Sequence, residues 1–328
     1  MGKKNRNPWS VTALPGILRA HAREYRRSAD LLREGGQTLG MTARYEQSAR
    51  TFDRQAALCS DLTLPLYWVT SPMAQVALDA SLDLPTLSPS MAPTRRGFLA
   101  VEGGLPPLPA PQAEGWWTLG DVWVTEGIAP RALLWDTTPQ EFTLTVFTHE
   151  SQMPRGTRTS RGPLQELLTI GVPRAVGGPW APVVATETDE DPATQPMEGL
   201  DPVPVSDSQI AVLAWACATW HLMMMPTLAE RRSLDPRTGG EPSPTGPPPA
   251  REVTHIDLRP LRQVNVEPVE DGTAVPERTH RWVVRGHWVQ QPYGPGHSQR
   301  RLQWRESYIK GPAGAPLLRS RPVNVWRR

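Results

Sequence analysis

The sequence predicts an α+β fold, with helices and strands in separate stretches of the chain. Residues 1–60 carry apolar side chains at helical spacing, and residues 61–150 contain short runs of β-branched and aromatic residues. Two further alternating runs flank a turn within residues 280–309. We therefore expect an N-terminal helical hairpin, an antiparallel β-rich body with one long helix, and a C-terminal twisted β-hairpin module.

Residues 1–60 predict two helices with an arginine-rich outer surface. Apolar side chains recur every three to four residues over 12–34 and again over 42–60. Gly35 and Gly36 separate the two runs, and glycine commonly ends a helix. The segment carries a net charge of +6, which is typical of a solvated helix face and leaves a binding face as the alternative.

Residues 61–234 are expected to form an acidic α+β body, and the longer segment 61–277 carries a net charge of −14. The clearest strand is 141–149, where apolar side chains occupy both alternating sets, so both faces should be buried. The other expected elements are strands at 64–69, 97–101, 121–125 and 132–135 and a short helix at 73–81.

The second half of the body is predicted to be an irregular segment followed by the long helix. Residues 151–205 combine an acidic run with repeated prolines, a pattern typical of a solvated loop. Helical spacing predicts a helix over 206–234, which Pro226 should kink or restart. Cys217 and His221 could share a face of this helix, but without a second pair they more often belong to a core than to a metal site.

The C-terminal module carries the strongest functional signal. Residues 235–250 are rich in proline and glycine and predict a linker, after which residues 251–328 form the module. The net charge of residues 278–328 is +10, although the whole chain carries only +2. Alternation predicts a hairpin with one arginine-lined face and one tryptophan-lined face. Its strands are expected at 253–258, 280–289, 301–309 and 323–326.

A basic sheet with aromatic side chains can follow a phosphate backbone and stack on bases. We therefore predict a nucleic-acid-binding protein whose partner is RNA or DNA, with RNA or single strands favoured. The expected binding residues are Arg281, Arg285, Arg300, Arg301, Arg305 and Lys310. In the alternative interpretation the hairpin caps the body, with its tryptophans buried and its arginines in water.

Two functions from other classes stay open. A metal-independent ribonuclease or toxin needs a base, an acid and a cation around the scissile phosphate, and His287, Tyr308 and Lys310 are the candidate catalytic residues. A protein-interaction or scaffold component would dock its basic tail on an acidic surface of its own body or of a neighbouring protein.

The module also resembles a tail on uncharacterised proteins of high-GC Gram-positive bacteria, which are often carried on plasmids, prophages or other mobile elements. The resemblance rests on three stretches, Arg285-Gly286-His287-Trp288, Gln291-Pro292-Tyr293-Gly294-Pro295-Gly296 and Tyr308-Ile309-Lys310-Gly311-Pro312. It implies a mobile-element or host-defence setting and no mechanism.

Common cofactor sites are excluded by missing residues. Gly294-Pro295-Gly296 lacks the third glycine of a dinucleotide loop, and no P-loop motif is present. We expect neither a cofactor nor a metal. The two cysteines allow at most one disulfide, and no signal-peptide or membrane-span pattern occurs, so a cytoplasmic location without a membrane partner is expected.

Overall fold

The computed structural model describes thirteen stretches of the chain. These are residues 13–35, 39–105, 117–119, 122–124, 129–152, 164–174, 180–181, 183–185, 203–205, 207–235, 251–259, 280–310 and 315–316. The helices are α1 (Leu14–Glu34), α2 (Leu39–Ser60), α3 (Ser71–Ser81) and α4 (Asp207–Met223). The strands are β1 (Leu66–Val69), β2 (Arg96–Val101), β3 (Trp117–Leu119), β4 (Val122–Val124), β5 (Ala132–Thr137), β6 (Glu141–His149), β7 (Leu164–Pro173), β8 (Val183–Ala185), β9 (Val203–Val205), β10 (Ala229–Leu234), β11 (Val253–Leu258), β12 (Trp282–Val284), β13 (His287–Tyr293), β14 (Gln299–Arg305) and β15 (Tyr308–Lys310). The α+β class and the N-terminal helical hairpin are confirmed.

Seven strands form a central sheet in the order β10-β11-β1-β2-β5-β6-β7. Strand β1 runs parallel to both of its neighbours, β2 and β11, whereas the other neighbouring pairs are antiparallel. The body is therefore a mixed sheet, which corrects the expectation of a purely antiparallel one. Helix α3 explains the parallel pair β1–β2, because it returns the chain to the end of the sheet where β1 began.

Helices cover both faces of this sheet. On one face, α1 and α2 bury Leu18 and Phe52 against Leu134. On the other face, α3 and α4 bury their apolar side chains against Trp135 and Leu144. Successive residues of a strand point to opposite faces, so Leu134 and Trp135 enter different cores. Strands that are apolar in both alternating sets are thus explained by two helical layers.

Helix α4 is buried on all sides. Every residue from 212 to 220 is buried, although a helix lying between a sheet and water would show a polar stripe. The reason is a further layer outside the helix, since Trp304 of β14 joins the same core as Trp215 and Trp220 of α4. The helix is thus enclosed by several segments: Cys217 lies 3.6 Å from the Ser88 carbonyl, Trp215 donates to the Ala74 carbonyl of α3, and His221 near its end is hydrogen-bonded to Leu302 of the C-terminal hairpin.

Three elements differ from the sequence-based expectations, in where they end, in their presence or in the part of the fold to which they belong. The helix predicted over 206–234 ends at Met223, and the chain then turns through Pro226 into β10, because proline lacks the N–H that would continue the helix. Strand β7, of ten residues, lies within the segment predicted to be irregular and pairs with β6 at the sheet edge. Strand β11 lies inside the central sheet, so the residues from 253 to 258 belong to the body.

Some expectations fall on residues outside the described ranges, namely the acidic run at 187–191, nearly all of the linker at 235–250 and the strand at 323–326. Among the helices that the structure describes, none combines the length and apolar character that crossing a bilayer requires.

Candidate nucleic-acid interface

Strands β12 to β15 form one long hairpin with a break in its middle. Strand β13 pairs with β14 over seven residue pairs, and β12 pairs with β15 over three. Two residues separate the ladders on each strand, 285–286 on one and 306–307 on the other, so the register is continuous across the break. The turn of the hairpin is shorter than the sequence predicts, because the first strand, expected to end at 289, continues to Tyr293.

The break lies where a tryptophan ring crosses the partner strand. Gly286 is buried, and a Cβ atom at this position would lie 2.4 Å from Cζ2 of Trp304. Any larger residue would push the ring away, since real Cβ contacts do not approach this closely. Gly286 therefore seats Trp304 against the body.

The inner face of β13 and β14 anchors the hairpin to the body. Trp288 donates from Nε1 to the Ala80 carbonyl of α3 at 2.8 Å, and His221 of α4 donates from Nε2 to the Leu302 carbonyl at 2.8 Å. The Trp288 ring packs edge-on against His221 and Trp304, with ring centroids 5.2 Å apart in both pairs. Trp304 is only 5% exposed and Trp288 is half-buried, so both rings pack on the body, as the alternative interpretation of the sequence expected.

The outer face carries the side chains that alternate with the tryptophans. His287 lies opposite Arg305, and Gln291 lies opposite Arg301. Arg301, Arg305 and His287 are exposed, and neither β13 nor β14 contains an acidic residue. The Arg301 guanidinium lies 5.9 Å from the centroid of the Tyr293 ring, which is 41% exposed. This face thus combines exposed cations with the exposed rings of Tyr293 and His287.

The tip of the hairpin stands clear of the body, because every residue from 292 to 301 is exposed. Gly296 has a φ of 59°, a left-handed conformation that glycine adopts without strain. The Ser298 hydroxyl donates to the Pro295 carbonyl at 3.1 Å, and Arg300 donates to the His297 carbonyl at 2.5 Å. Arg300 is therefore exposed as predicted but is also used to hold the turn.

The remaining predicted binding residues lie outside this face. Arg281 is partly buried and donates from Nε to the Ala315 carbonyl at 2.7 Å. Arg285 lies in the break and forms a salt bridge of 3.4 Å with Asp83, beyond the end of α3. Lys310 is exposed but belongs to β15. The structure brings Arg301 and Arg305 together on one face and leaves Arg281 and Arg285 in contacts with their own chain.

The three candidate catalytic residues are also separated along the hairpin. His287 of β13 pairs with Arg305, whereas Lys310 pairs with Trp282 of β12, five residues before His287 in the chain. Five residues of strand span about 16 Å, which exceeds the reach of groups acting on one phosphate. Tyr308 pairs with Val284, about 10 Å from His287 by the same measure. The structure does not assemble these three residues into one site.

Three outer-face residues were missed as site candidates, namely Gln291, Gln303 and Tyr293. Gln291 lies opposite Arg301 and accepts a hydrogen bond from Arg305 at 3.4 Å, so it belongs to the same surface. Strand alternation in the sequence already placed Gln303 on the same face as the arginines. The same alternation could have identified Gln291 and Tyr293 as residues of this face.

No group of three metal-binding side chains occurs among the residues described by the structure. The Cys217 thiol lies 3.6 Å from the Ser88 carbonyl, and burial raises its pKa to about 12. His221 instead contacts Leu302 and Trp288 of the hairpin. Both residues of this pair are thus used in packing, as the more ordinary interpretation of the sequence expected.

Comparisons with known proteins give no match to any family model, any curated protein or any solved structure. Function must therefore be inferred from the geometry and charge of the hairpin itself.

Proposed function

We propose that the protein binds nucleic acid through the outer face of β13 and β14. The observation that carries this proposal is the exposed, acid-free surface on which Arg301 and Arg305 lie beside Tyr293 and His287. Guanidinium groups bind phosphate oxygens through paired hydrogen bonds, and an aromatic ring can stack on a base. The mobile-element or host-defence setting is proposed from the resemblance of the module alone.

The electrostatic state of these arginines supports the proposal. Within the described part of the chain, neither Arg301 nor Arg305 forms a salt bridge. On the N-terminal hairpin, Arg26 and Arg33 are paired with carboxylates, whereas Arg23 and Arg27 are exposed. Cations without a carboxylate partner can neutralise a phosphate without first giving up a salt bridge.

The packing of the hairpin argues against self-masking by the acidic body. The hairpin contacts the body mainly through the apolar rings of its inner face, and these contacts leave the outer arginines exposed. The salt bridge of Arg285 with Asp83 lies in the break, away from the outer face. This packing does not support the form of the scaffold alternative in which the basic tail docks on its own acidic body; docking on an acidic surface of a neighbouring protein stays the other form of that alternative.

A charge-removal experiment tests the proposal. Arg301→Gln combined with Arg305→Gln is compared with wild type and with Arg23→Gln combined with Arg27→Gln, which removes the same charge from exposed positions on α1. Binding of labelled nucleic acids is measured on native gels across a salt series. Each phosphate contact contributes roughly 0.7–0.9 to the slope of log affinity against log salt.

We expect the slope of log affinity against log salt to become shallower in the hairpin variant, by the contribution of about one to two phosphate contacts. The α1 variant should keep the wild-type slope. Equal losses in the two variants would show that binding depends only on net charge and would contradict an interface on the hairpin. Denaturing gels run in parallel with EDTA would reveal strand cleavage, which the ribonuclease alternative requires.

A further inference from the structure

We infer that the nucleic acid is duplex DNA and that β13 and β14 enter its major groove as a two-stranded ribbon. This inference rests on the proposed function and specifies its ligand. It departs from the preference for RNA or single strands that the sequence suggested, because the structure shows where the aromatic rings of the hairpin point.

The burial of the tryptophans removes the stacking platform that a single strand would need. Proteins that bind single strands stack successive bases on several exposed rings. In β13 and β14, all of whose residues the structure describes, Trp288 and Trp304 pack on the body. The outer face retains Tyr293 and the His287 imidazole as its aromatic side chains, and Arg301 already lies over the tyrosine ring. A run of stacked bases has too few partners here.

The dimensions of the hairpin fit the major groove of B-form DNA. Two strands lie about 4.8 Å apart and, with their side chains, fill a groove about 12 Å wide and about 8.5 Å deep. The seven residue pairs span about 20 Å along the groove. The exposed tip, residues 292–301, provides the part that can be inserted without displacing the body. The major groove of A-form RNA is too narrow to be read by side chains, so duplex RNA fits less well.

The outer face also carries side chains that read base edges. Arginine binds the O6 and N7 atoms of guanine with two hydrogen bonds, and glutamine pairs in the same way with N6 and N7 of adenine. Arg301 and Gln291 lie opposite each other on this face, and Gln303 follows Arg301 on the same strand. Arg305 donates to the Gln291 side chain at 3.4 Å, which links the two strands of this surface. A face of arginines and glutamines is suited to sequence-selective contacts.

The ligand is tested first without any mutation. Full-length protein is given a 30-base-pair duplex from a randomised library, a matching single-stranded DNA and a matching single-stranded RNA, and bound duplexes are selected and sequenced. The selected duplex is then treated with dimethyl sulfate, which methylates guanine N7 in the major groove and adenine N3 in the minor groove. We expect tighter binding to duplex, an enriched site containing guanine, and interference from methylated guanine N7.

A charge-conserving variant then separates base reading from phosphate contact. Arg301→Lys keeps the positive charge but loses the planar fork that guanine recognition uses. We expect its affinity for the selected site to fall roughly 5- to 150-fold, which corresponds to about 1–3 kcal/mol per bidentate pair. Its affinity for unselected duplex at the same salt concentration should stay within about twofold. Arg23→Lys on α1 serves as the matched control and should change neither affinity.

The outcomes distinguish the two proposals. Tighter binding to single-stranded RNA or DNA, or interference confined to adenine N3, would overturn major-groove insertion while the hairpin remained a nucleic-acid interface. An Arg301→Lys variant that binds the selected site as well as wild type would overturn base reading by this residue. The absence of binding to every nucleic acid, in protein shown by circular dichroism to be folded, would overturn the proposed function itself.

Discussion

The two faces of the β13–β14 ribbon come from alternate residues of the same strands, yet they behave as different surfaces. Trp288 and Trp304 on the inner face pack on α3 and α4. Arg301 and Arg305 on the outer face are exposed, although they lie only three residues before and one residue after Trp304 in the chain. The comparison shows that one short hairpin can anchor itself through one face and leave a face of arginines exposed, because strand side chains alternate between faces.

The largest expected effect is on the anchoring face. Trp304→Ala removes a buried ring from the core and should lower the free energy of unfolding by about 3–5 kcal/mol, the usual cost of such a truncation. Denaturant unfolding followed by circular dichroism measures this loss. A loss below about 1 kcal/mol would mean that the ring does not anchor the hairpin and that the two faces are not distinct in this way.

The dependence of stability on pH tests a residue on the opposite face of the sheet, which α1 and α2 cover. His21 of α1 is buried against Phe52, and burial lowers its pKa from 6.5 to about 4, with a smaller opposing contribution from the Leu164 backbone. Since the folded pKa is depressed, the unfolded chain binds more protons between these values. Neutral His21 therefore makes its full contribution to the free energy of unfolding above about pH 6.5. This contribution falls by up to about 3 kcal/mol as the pH falls towards 4.

Unfolding measured at pH 7.5 and pH 4.5 for wild type and His21→Leu checks this expectation. The variant should lose less stability on acidification than wild type, and equal losses would contradict the assignment to His21. Binding experiments on the hairpin are best performed above pH 6.5, where this effect on the body is absent.

A smaller effect is expected at the break in the hairpin. Gly286→Ala places a methyl group where it would contact the Trp304 ring, and overpacking of this kind costs about 1–3 kcal/mol. Gly16 is exposed within α1, and a Cβ atom added there would meet open space, so Gly16→Ala should be neutral or stabilising. Thermal unfolding of the two variants measures the contrast, and equal stabilities would show that Gly286 does not seat the ring.

The smallest expected change in stability is on the outer face. Arg305→Gln should change the free energy of unfolding by less than about 0.5 kcal/mol, because the side chain is exposed and donates a long hydrogen bond of 3.4 Å to Gln291. The same protein should bind nucleic acid more weakly and with a smaller salt slope. Denaturant unfolding and gel-shift titration of one preparation check both statements, and a large loss of stability would place Arg305 in the anchor.

Local patterns predicted much of the fold. Helices α1 and α2 and strand β6 follow from side-chain periodicity, which depends only on neighbouring residues. The pairing of β1 with β11 could not be predicted in this way, since almost two hundred residues separate partners such as Tyr67 and Thr254. Strand β7 was missed because breakers surround it, although Leu168, Ile170 and Val172 alternate within it.

The candidate site was predicted only in part, because strand alternation depends on neighbouring residues whereas the tertiary contacts do not. Alternation placed Arg301 and Arg305 opposite the tryptophans, and the structure does the same. The positions of Arg281 and Arg285 could not be deduced, because the break in the ladder and the contacts with Ala315 and Asp83 are tertiary features. Alternation alone also could not show that the tip projects beyond the body.

Chemical modification of arginine tests the division between the two faces most directly. Full-length protein, free and saturated with its preferred nucleic acid, is treated with p-hydroxyphenylglyoxal, and each modified arginine is quantified by mass spectrometry. We predict strong protection of Arg301 and Arg305 on binding, with unchanged reactivity of the exposed Arg23 and Arg27 on α1. Protection of the α1 arginines, with Arg301 and Arg305 as reactive as in the free protein, would contradict recognition by the outer face of the ribbon.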